Sequence, residues 1–421
     1  MPLPPGLTDS DLADVDQRLA ADDEARRLAY PGPTSMRQPV HTVYVPADQF
    51  HVEVVQEWGT AARDALSRFA PRPDDMALAT GLDVGAVRRV WPAVLTKLAT
   101  EPIEDLRIDL EDGYGSRGDD QEDRHALAVA RELAAAVSTG IAPQFLGIRF
   151  KSLEPATRRR GLRTLDLVLR GLLERSELPA GWVLTLPKVT SVAQVTAMVD
   201  ICSRLEAAYG LAAGALRFEI QVETPQAVLL ADGTAGVAGM LHAAAGRCAG
   251  LHFGTYDYTA GLGIAGGFQG LDHPAADHAK TVMQLAAAGT GVPVSDGSTN
   301  RIPVGEPEEV YAAWALHARL VQRSLERGFY QGWDLHPAQL PTRFLATYLF
   351  FRTDLDQVGA RLRRYLERSG GGVLDEPATA QALAAFLLRG VRCGAVAADE
   401  VPALTGIDLE TITTLAARQD R

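Results

Sequence analysis

Acidic and basic residues stand at the ends of several apolar runs in this 421-residue chain. They are Glu111 and Asp112 of the motif Asp-Leu-Glu-Asp, then Arg149, Lys188, Glu223, Asp257, Asp296 and His336. Carboxylates that converge from separate segments repel one another unless a cation neutralises them. Mg²⁺ takes oxygen ligands and is usually held by one or two carboxylates, with water and substrate completing the set. Glu223 and Asp257 fit that role, and Arg149 could grip a substrate carboxylate with two parallel hydrogen bonds.

The elements that must position these residues alternate along the chain, a short β-rich run followed by a longer helical run. Eight runs read as strands, at 41–46, 105–110, 145–150, 182–187, 216–223, 248–254, 292–296 and 328–335. Strands that alternate with helices of ten or more residues imply parallel β-α-β units. Eight such units predict a (β/α)8 TIM barrel, in which catalytic residues lie at the C-terminal ends of the strands. A doubly wound open sheet is the rival, but no strand is followed by a Gly-rich nucleotide-binding motif.

The pattern divides the chain into three parts. Residues 1–40 form an N-terminal helical extension with an amphipathic helix over 7–28, and residues 41–354 form the barrel. Residues 355–421 read as a C-terminal helical appendage, in which helices are predicted over 377–390 and 397–418. A triple glycine at 370–372 precedes these helices, and it suits either the hinge of a lid or an ordinary linker.

Composition and charge exclude several classes of protein. Apolar residues make up 47% of the chain and charged residues 22%, as in ordinary globular proteins. The balance of 41 basic against 53 acidic residues, net −12, disfavours binding to nucleic acid or to an anionic membrane. Three scattered cysteines, no secretory signal and no long apolar stretch predict a cytoplasmic protein without disulfides.

Several short motifs occur in one order along most of the chain. They are V-Y-V-P-A at 43–47, D-L-E-D at 109–112, L-P-K-V at 186–189, E-T-P at 223–225, H-P-x-Q at 336–339 and G-G-V-L-D-E-P at 371–377. On these motifs the sequence resembles the citrate lyase β-subunit / HpcH-HpaI aldolase superfamily, which is related to malate synthase. The resemblance implies a Mg²⁺-dependent (β/α)8 enzyme, with Mn²⁺ as the alternative metal, that acts at a C–C bond beside a carbonyl.

The resemblance also implies roles for individual residues. Glu223 and Asp257 match the metal ligands of the family, and Arg149 matches the arginine that binds a substrate carboxylate or oxyanion. Glu111 and Asp112 match the acidic pair around the metal's water ligands. Asp375 matches the acidic residue of a C-terminal lid, which in the family often covers the site of a neighbouring subunit. A homo-oligomer, often a trimer, is therefore expected.

These roles predict a carbon–carbon lyase or aldolase whose substrate is a small 2-oxo or hydroxy acid, either free or as a coenzyme A thioester. Cleavage would leave an enolate that the metal and Arg149 stabilise, with Asp375 as the acid or base. Lys188, Asp296 and His336 would help Arg149 to bind the anionic substrate. Two other functions stay open: condensation or thioester hydrolysis in the manner of malate synthase, and a barrel that binds a metal and a carboxylate without catalysis.

Each candidate residue also has a purely structural interpretation. Arg149 could form an ion pair with Asp109 or Glu111, and the acidic pair of the motif could cap a helix or bind Arg107. Lys188 could form a salt bridge, Glu223 could pair with Arg217 or a helix N-terminus, and Asp257 could cap a turn. Asp296 and His336 could order loops, and Asp375 could cap the helix that begins near Pro377.

Overall fold

Eight parallel strands form the centre of the protein. The computed structural model describes residues 6–34, 36–367 and 376–417. The strands are β1 His41–Pro46, β2 Asp105–Asp109, β3 Phe145–Arg149, β4 Trp182–Leu186, β5 Arg217–Val222, β6 Cys248–Phe253, β7 Val294–Ser295 and β8 Gly332–Asp334. Each pairs with its neighbours in the order β7-β6-β5-β4-β3-β2-β1-β8. The eight strands predicted from the sequence are therefore confirmed.

The sheet closes on itself between β7 and β8. Asp296 N donates to Gln331 O at 2.8 Å, and Trp333 N donates to Gly297 O at 3.1 Å. Both hydrogen bonds join backbone atoms at the ends of these two short strands. The sheet is thus a closed (β/α)8 barrel, and the open-sheet alternative is excluded.

Helices follow the strands and surround the barrel. They are α1 Asp9–Ala29, α2 Val54–Phe69, α3 Pro73–Thr80, α4 Val84–Thr100, α5 Asp119–Ser138, α6 Arg158–Leu173, α7 Val192–Tyr209, α8 Pro225–Val228 and α9 Gly236–Ala243. The remaining helices are α10 Thr255–Gly261, α11 Pro274–Ala287, α12 Pro307–Glu326, α13 Leu340–Thr353, α14 Leu355–Glu367, α15 Pro377–Arg392, α16 Glu400–Thr405 and α17 Leu409–Ala417. None of the helices in the described residues is long and apolar enough to cross a membrane.

Three of the predicted helices differ in the structure. The apolar run at 226–244 predicts one helix, but the structure divides it into α8 and α9, because Gly233 adopts a φ of +85° and Asp232 accepts a hydrogen bond from Thr234 N in a tight turn. The helix predicted over 397–418 is divided into α16 and α17 at Gly406, whose φ is +79°. The N-terminal helix is present as α1 and begins with a capping box at Thr8 and Asp11, but none of its residues is buried. The apolar face expected of this helix therefore packs against nothing in the described chain.

The C-terminal appendage packs on the barrel through α13. Phe386 of α15 contacts Phe350 and Phe351 of α13 with ring centroids 5.6 and 5.0 Å apart. Arg352 of the same helix binds both carboxylate oxygens of Glu400 in α16. These contacts fix the described appendage on the barrel, whereas the division of the chain at 40 and 354 stays a prediction.

Side chains alternate along each strand, so that every second residue points into the barrel. On β2 the residues that point inward are Asp105, Arg107 and Asp109, and all three are buried. On β5 the inward residues include Glu219 and Gln221, and Glu223 follows at the end of the strand. The barrel interior is therefore polar along its axis, while the outward residues pack on the helices.

Candidate active site

Charged side chains gather at the C-terminal end of the barrel. Glu111 and Asp112 follow β2, Lys188 follows β4, Glu223 follows β5, and Asp257 lies in the first turn of α10 after β6. We call these five residues the mouth cluster. Separate strands bring them together, as the sequence predicts for residues at the C-terminal ends of barrel strands.

Lys188 lies at the centre of the mouth cluster. Its Nζ is 3.1 Å from Glu111 Oε1, 2.5 Å from Asp112 Oδ2 and 3.2 Å from Asp257 Oδ2. Its backbone N donates to Glu223 Oε1 at 2.7 Å. Burial alone would lower the pKa of Lys188, but the charges of Glu223, Glu111 and Asp112 raise it above its usual value. The side chain is therefore an ammonium ion.

The backbone of Lys188 is strained. Its φ of +50° lies in the left-handed region, which is uncommon for residues other than glycine. Strain of this kind persists where the surrounding structure imposes it, and it is frequent at functional sites. Here it accompanies a backbone N–H that is directed at Glu223.

Glu223 is the most deeply buried carboxylate of the mouth cluster. It is 2% exposed, and its pKa is raised from 4.5 to about 7. Burial is the main cause; the charges of Lys188 and Arg149 lower the pKa, and those of Asp257 and Glu111 raise it again. The positive charges of Lys188 and Arg149 therefore do not offset the effect of burial, and Glu223 binds a proton more readily than an ordinary carboxylate does.

Glycine at position 254 makes room for Glu223. A Cβ atom at Gly254 would lie 2.3 Å from Glu223 Cβ and 2.5 Å from its Oε2. Real Cβ atoms do not approach other atoms so closely. The end of β6 therefore has to lack a side chain for Glu223 to keep its place.

Arg149 lies beneath the mouth cluster and is paired. Its Nε donates to Asp109 Oδ1 at 2.7 Å, and one terminal nitrogen donates to Oδ2 at 2.5 Å. The other terminal nitrogen, Nη1, is 3.7 Å from Glu111 Oε2, and the guanidinium lies 4.7 Å from the centre of the Tyr44 ring. The ion pair with Asp109, which the sequence left open, is thus present. Only Nη1 is outside this bidentate pair, and the substrate-binding role of Arg149 stays a prediction.

The acidic pair of the Asp-Leu-Glu-Asp motif has two different environments. Glu111 is buried, which raises its pKa, while Asp112 is half exposed and has a lowered pKa because its burial is outweighed by the hydrogen bond from Lys188. Neither carboxylate pairs with Arg107, which binds Asp105 and Glu219 deeper in the barrel. Glu111 therefore holds a proton more readily than Asp112 does.

The side chains of Asp296 and His336 bind partners outside the mouth cluster. Asp296 is 1% exposed, and its Oδ2 accepts from Lys280 Nζ at 3.0 Å and Ser324 Oγ at 2.6 Å. His336 caps a short 3₁₀ turn by accepting from Ala338 N. Asp375 lies outside the described residues. The contacts of Asp296 and His336 match their structural interpretations, and their predicted roles in substrate binding stay predictions.

The oxygen donors of the mouth cluster suit a divalent cation that keeps part of its own hydration. No group of three or more His, Cys, Asp or Glu residues in the described ranges is placed to hold a metal ion. The mouth cluster combines four carboxylates with one ammonium, and Arg149 is neutralised by Asp109. Mg²⁺ needs only one or two carboxylates in addition to water and substrate oxygens. The excess negative charge and the oxygen donors Glu223 and Asp257 therefore fit Mg²⁺ that keeps water or substrate oxygens as its other ligands.

Sequence reasoning missed three residues beneath the cluster, namely Tyr44, Asp109 as a site residue, and Gln221. Gln221 Nε2 donates to the Tyr44 hydroxyl at 3.2 Å, while Gln221 Oε1 is buried and has no hydrogen-bond partner in the described chain. Asp109 also accepts from the backbone N of Glu111 and Gly113, which shapes the turn that carries the acidic pair. The signal was the two-residue alternation on β1, β2 and β5, which points these side chains inward.

Fold and site together define a (β/α)8 barrel with an acidic, lysine-centred mouth. The chain belongs to the family described as "Domain of unknown function (DUF6986)", whose profile matches residues 19–420. A comparison with curated proteins found no match.

Solved structures share the fold. The malate synthase of Haloferax volcanii in a magnesium/glyoxylate complex is 15% identical, with a TM-score of 0.51 over 90% of this chain and 98% of that one. Its lead(II) complex is 17% identical, with a TM-score of 0.50 over 90% and 88%. CitE from Mycobacterium tuberculosis, in complex with magnesium, acetoacetate and coenzyme A, is 18% identical with a TM-score of 0.48 over 86% and 100%. At these identities the two malate synthase structures establish the fold alone, which is the fold that the sequence resemblance implies.

Proposed function

We propose that this protein is a Mg²⁺-dependent enzyme that cleaves or forms a C–C bond beside the carbonyl of a small 2-oxo or hydroxy acid. The observation that carries the proposal is the mouth cluster at the C-terminal end of the barrel, in which Lys188 Nζ lies within 3.2 Å of three carboxylates and the backbone N–H of Lys188 donates to a fourth, Glu223. Glu223 and Asp257 would hold the metal ion. The pKa of Glu223, about 7, supports this assignment because a buried carboxylate short of positive charge gains most from a cation.

The chemistry of the proposed reaction needs charge stabilisation beside a carbonyl. Bound Mg²⁺ would act as a Lewis acid that polarises the substrate's carbonyl and favours charge on an enolate. Nη1 of Arg149, which Asp109 leaves unused, would donate to a carboxylate or developing oxyanion of the substrate. The ammonium of Lys188 would hold the carboxylates in place and add positive charge at the mouth.

Proton transfer has two candidates. Asp375 is the acid or base that the sequence resemblance implies. Glu111 is the candidate in the described chain. Its burial raises its pKa, and its Oε2 lies 3.7 Å from Arg149 Nη1, the nitrogen proposed to bind the substrate. The fold shared with a malate synthase studied with magnesium and glyoxylate suggests a 2-oxo acid as the first substrate to test.

Several finer expectations belong to the same proposal. A coenzyme A thioester as the second substrate, Mn²⁺ as an alternative metal and a homo-oligomer, in particular a trimer, all follow from the sequence resemblance. The cytoplasm is the proposed compartment, and it is supported by three cysteines that are free and buried.

The test is calorimetric titration of Mg²⁺ into chelator-treated protein, alone and with glyoxylate, pyruvate or oxaloacetate. We expect binding that a 2-oxo acid strengthens, and its loss in Glu223→Gln. Asp272→Asn, which removes a carboxylate paired with Arg319 outside the cluster, is the matched control and should bind Mg²⁺ normally. Absence of Mg²⁺ binding with every oxo acid would contradict the proposal.

Turnover assays then separate the reactions. Release of free thiol from acetyl-CoA only in the presence of glyoxylate indicates condensation, and release without it indicates thioester hydrolysis. Cleavage of a hydroxyacyl-CoA or a free hydroxy acid indicates a lyase. Mg²⁺ binding with no turnover in any assay would favour a barrel that binds metal and carboxylate without catalysis.

A further inference from the structure

A cavity lies at the N-terminal end of the barrel, opposite the mouth cluster. Its volume is about 490 Å³, within the range of small-molecule sites. One wall is formed by residues at the starts of the strands, among them Phe145, Trp182, Arg217 and Ala249. The other wall is formed by α15 and by Ala416 of α17. We call this space the lower cavity.

The lower cavity carries positive charge that no carboxylate of the described chain balances. Arg217, Arg389 and Arg392 line it, and none of them forms an ion pair with any described carboxylate. Arg217 donates to Cys248 O and Arg392 to Met36 O, each at 3.1 Å, which satisfies hydrogen bonds but not charge.

The two arginines of α15 reinforce each other. Arg389 and Arg392 are three residues apart, so that their side chains lie on one face of the helix. The Arg389 guanidinium lies 4.2 Å from the centre of the Tyr330 ring, and burial together with the charge of Arg389 lowers the pKa of Arg392. Two like charges held at one cavity wall favour the binding of an anion.

The acidic residues of the lower cavity offset only part of this charge. Asp105 and Glu219 also line it and share the single guanidinium of Arg107, so the three groups together carry one negative charge against the three arginines. Glu219 in addition accepts from Thr185 Oγ1 at 2.5 Å and lies 3.2 Å from His252 Nε2. The charge that remains for a ligand is therefore positive.

One buried donor in the cavity wall also lacks an acceptor. Trp182 is 3% exposed, and its Nε1 has no hydrogen-bond partner in the part of the chain described. A buried N–H without an acceptor is unfavourable. The indole nitrogen is covered by protein atoms, so a ligand oxygen would satisfy it only after the wall has adjusted.

The rest of the wall is apolar. Val183, Val292, Phe351, Ala385 and Leu388 all face the lower cavity. A purely inorganic anion would leave these side chains without contacts, whereas a ligand with an apolar body would bury them.

We propose that the lower cavity is a binding site for an amphipathic organic anion. Its apolar body would lie among the aliphatic and aromatic side chains, and its carboxylate or phosphate would be bound by Arg389 and Arg392. Guanidinium groups bind both kinds of oxyanion with two parallel hydrogen bonds. The site is separate from the mouth cluster, so this inference does not rest on the proposed function.

The experiment is calorimetric titration with decanoate, decyl phosphate and the neutral control decanol, all below their micelle concentrations. We expect at least one of the two anions to bind at least tenfold more tightly than decanol, and the tighter of them identifies the head group. The double variant Arg389→Gln/Arg392→Gln should weaken anion binding at least tenfold. Arg131→Gln, at an exposed arginine on α5, should leave it unchanged.

A second variant tests whether a loss of binding in the double variant results from misfolding. Ala385→Leu keeps both arginines and fills part of the lower cavity, so it should also weaken anion binding while its circular dichroism spectrum and thermal unfolding stay as in the wild type. Equal binding of decanol and the anions, equal binding to all variants, or no anion binding at millimolar concentration would each overturn the proposal.

Discussion

A single buried carboxylate, Glu223, combines the properties on which the candidate active site depends. It is almost fully buried, it accepts the backbone N–H of a strained lysine, and its pKa is raised to about 7. In the unfolded chain the same group would have its ordinary pKa of 4.5. Between these two pH values the folded protein binds the proton more tightly, so the stability that Glu223 confers is lost as the pH rises.

Glu223→Gln is therefore expected to stabilise the metal-free protein at alkaline pH. The gap between 4.5 and about 7 corresponds to about 3 kcal/mol at pH 8 and under about 1 kcal/mol at pH 5. Urea unfolding in the presence of a chelator measures both values. Saturating Mg²⁺ should stabilise the wild type at pH 8 but not the variant. A variant that is less stable than the wild type at pH 8 would show that the carboxylate is already satisfied without a metal.

For the ion pair of Arg149 and Asp109 we expect the opposite result, a loss of stability on substitution, because each charge of the pair is matched by the other. Asp109→Asn would leave the buried guanidinium with Glu111, 3.7 Å away, as its counter-ion and would remove one of the two acceptors for the turn of the acidic pair. Breaking such a pair costs about 3–5 kcal/mol, which urea unfolding at pH 7.5 would detect. Asp74→Asn breaks an exposed bidentate pair with Arg88 and serves as the control, with a far smaller loss. Equal losses in the two variants would contradict the structural importance of the buried pair.

The order of residue types along the sequence predicted which carboxylates lie close together, but it did not predict the direction of each side chain. Glu111, Asp112, Lys188, Glu223 and Asp257 follow strands and were expected at one end of the barrel, where they are found. Asp296 also follows a strand, yet Lys280 and Ser324 draw its carboxylate away from the mouth. Those partners come from α11 and α12, and no local pattern around Asp296 reveals them.

At the scale of elements, the junction between β6 and α10 determines the position of Glu223. Gly254 allows β5 and β6 to approach, since a methyl group there would overlap the Glu223 side chain. Gly254→Ala is therefore expected to displace the carboxylate and to lower the Mg²⁺ affinity at least tenfold.

Calorimetry of Gly254→Ala against Gly266→Ala measures this effect. A Cβ at Gly266 would meet no atom within 4 Å, and its φ is not in the left-handed region, so that variant should bind Mg²⁺ as the wild type does. If both variants bound Mg²⁺ normally, Glu223 would not be a ligand in the position that the structure gives it.

Strands and helices were predictable because the periodicity of their apolar residues is local. The breaks within helices and the surfaces on which helices pack were not predicted. All eight strands occur where the apolar runs indicate, although β7 has only two residues. The crossover after β5 is interrupted by the turn at Gly233, which the apolar character of 226–244 conceals. The described helices α15 and α17 line the lower cavity, at the end of the barrel opposite the mouth cluster. These helices therefore do not cover the mouth of their own chain. Helix patterns in the sequence do not show which end of a barrel a helix packs against.

Across the whole molecule, polar side chains connect the two ends of the barrel. Arg107 with Asp105 and Glu219 lies at the lower cavity, and Tyr44, hydrogen-bonded to Gln221, lies above it. The ring of Tyr44 in turn contacts the guanidinium of Arg149 beneath the mouth cluster. Because polar side chains fill the interior of the barrel, apolar packing occurs between the strands and the surrounding helices and at the junction of the barrel with its appendage.

That junction is built on Phe351. The side chain is 1% exposed and lies 5.0 Å from the Phe386 ring of α15 and 6.3 Å from the Tyr330 ring. Phe351→Ala is expected to destabilise the protein by about 3–5 kcal/mol, because the buried ring is removed and a cavity takes its place. Since this ring holds α15 on the barrel, we expect that helix to open before the barrel unfolds.

Hydrogen exchange resolved by peptide measures this order of unfolding. Amides of α15 and α17 should exchange faster in Phe351→Ala, while those of β2 to β5 keep their protection until global unfolding. Phe268→Ala, which truncates a side chain that is 76% exposed, should leave both regions unchanged. Uniform acceleration across barrel and appendage in Phe351→Ala would instead mean that the two unfold as one cooperative unit, because the aromatic junction transmits the loss to every strand.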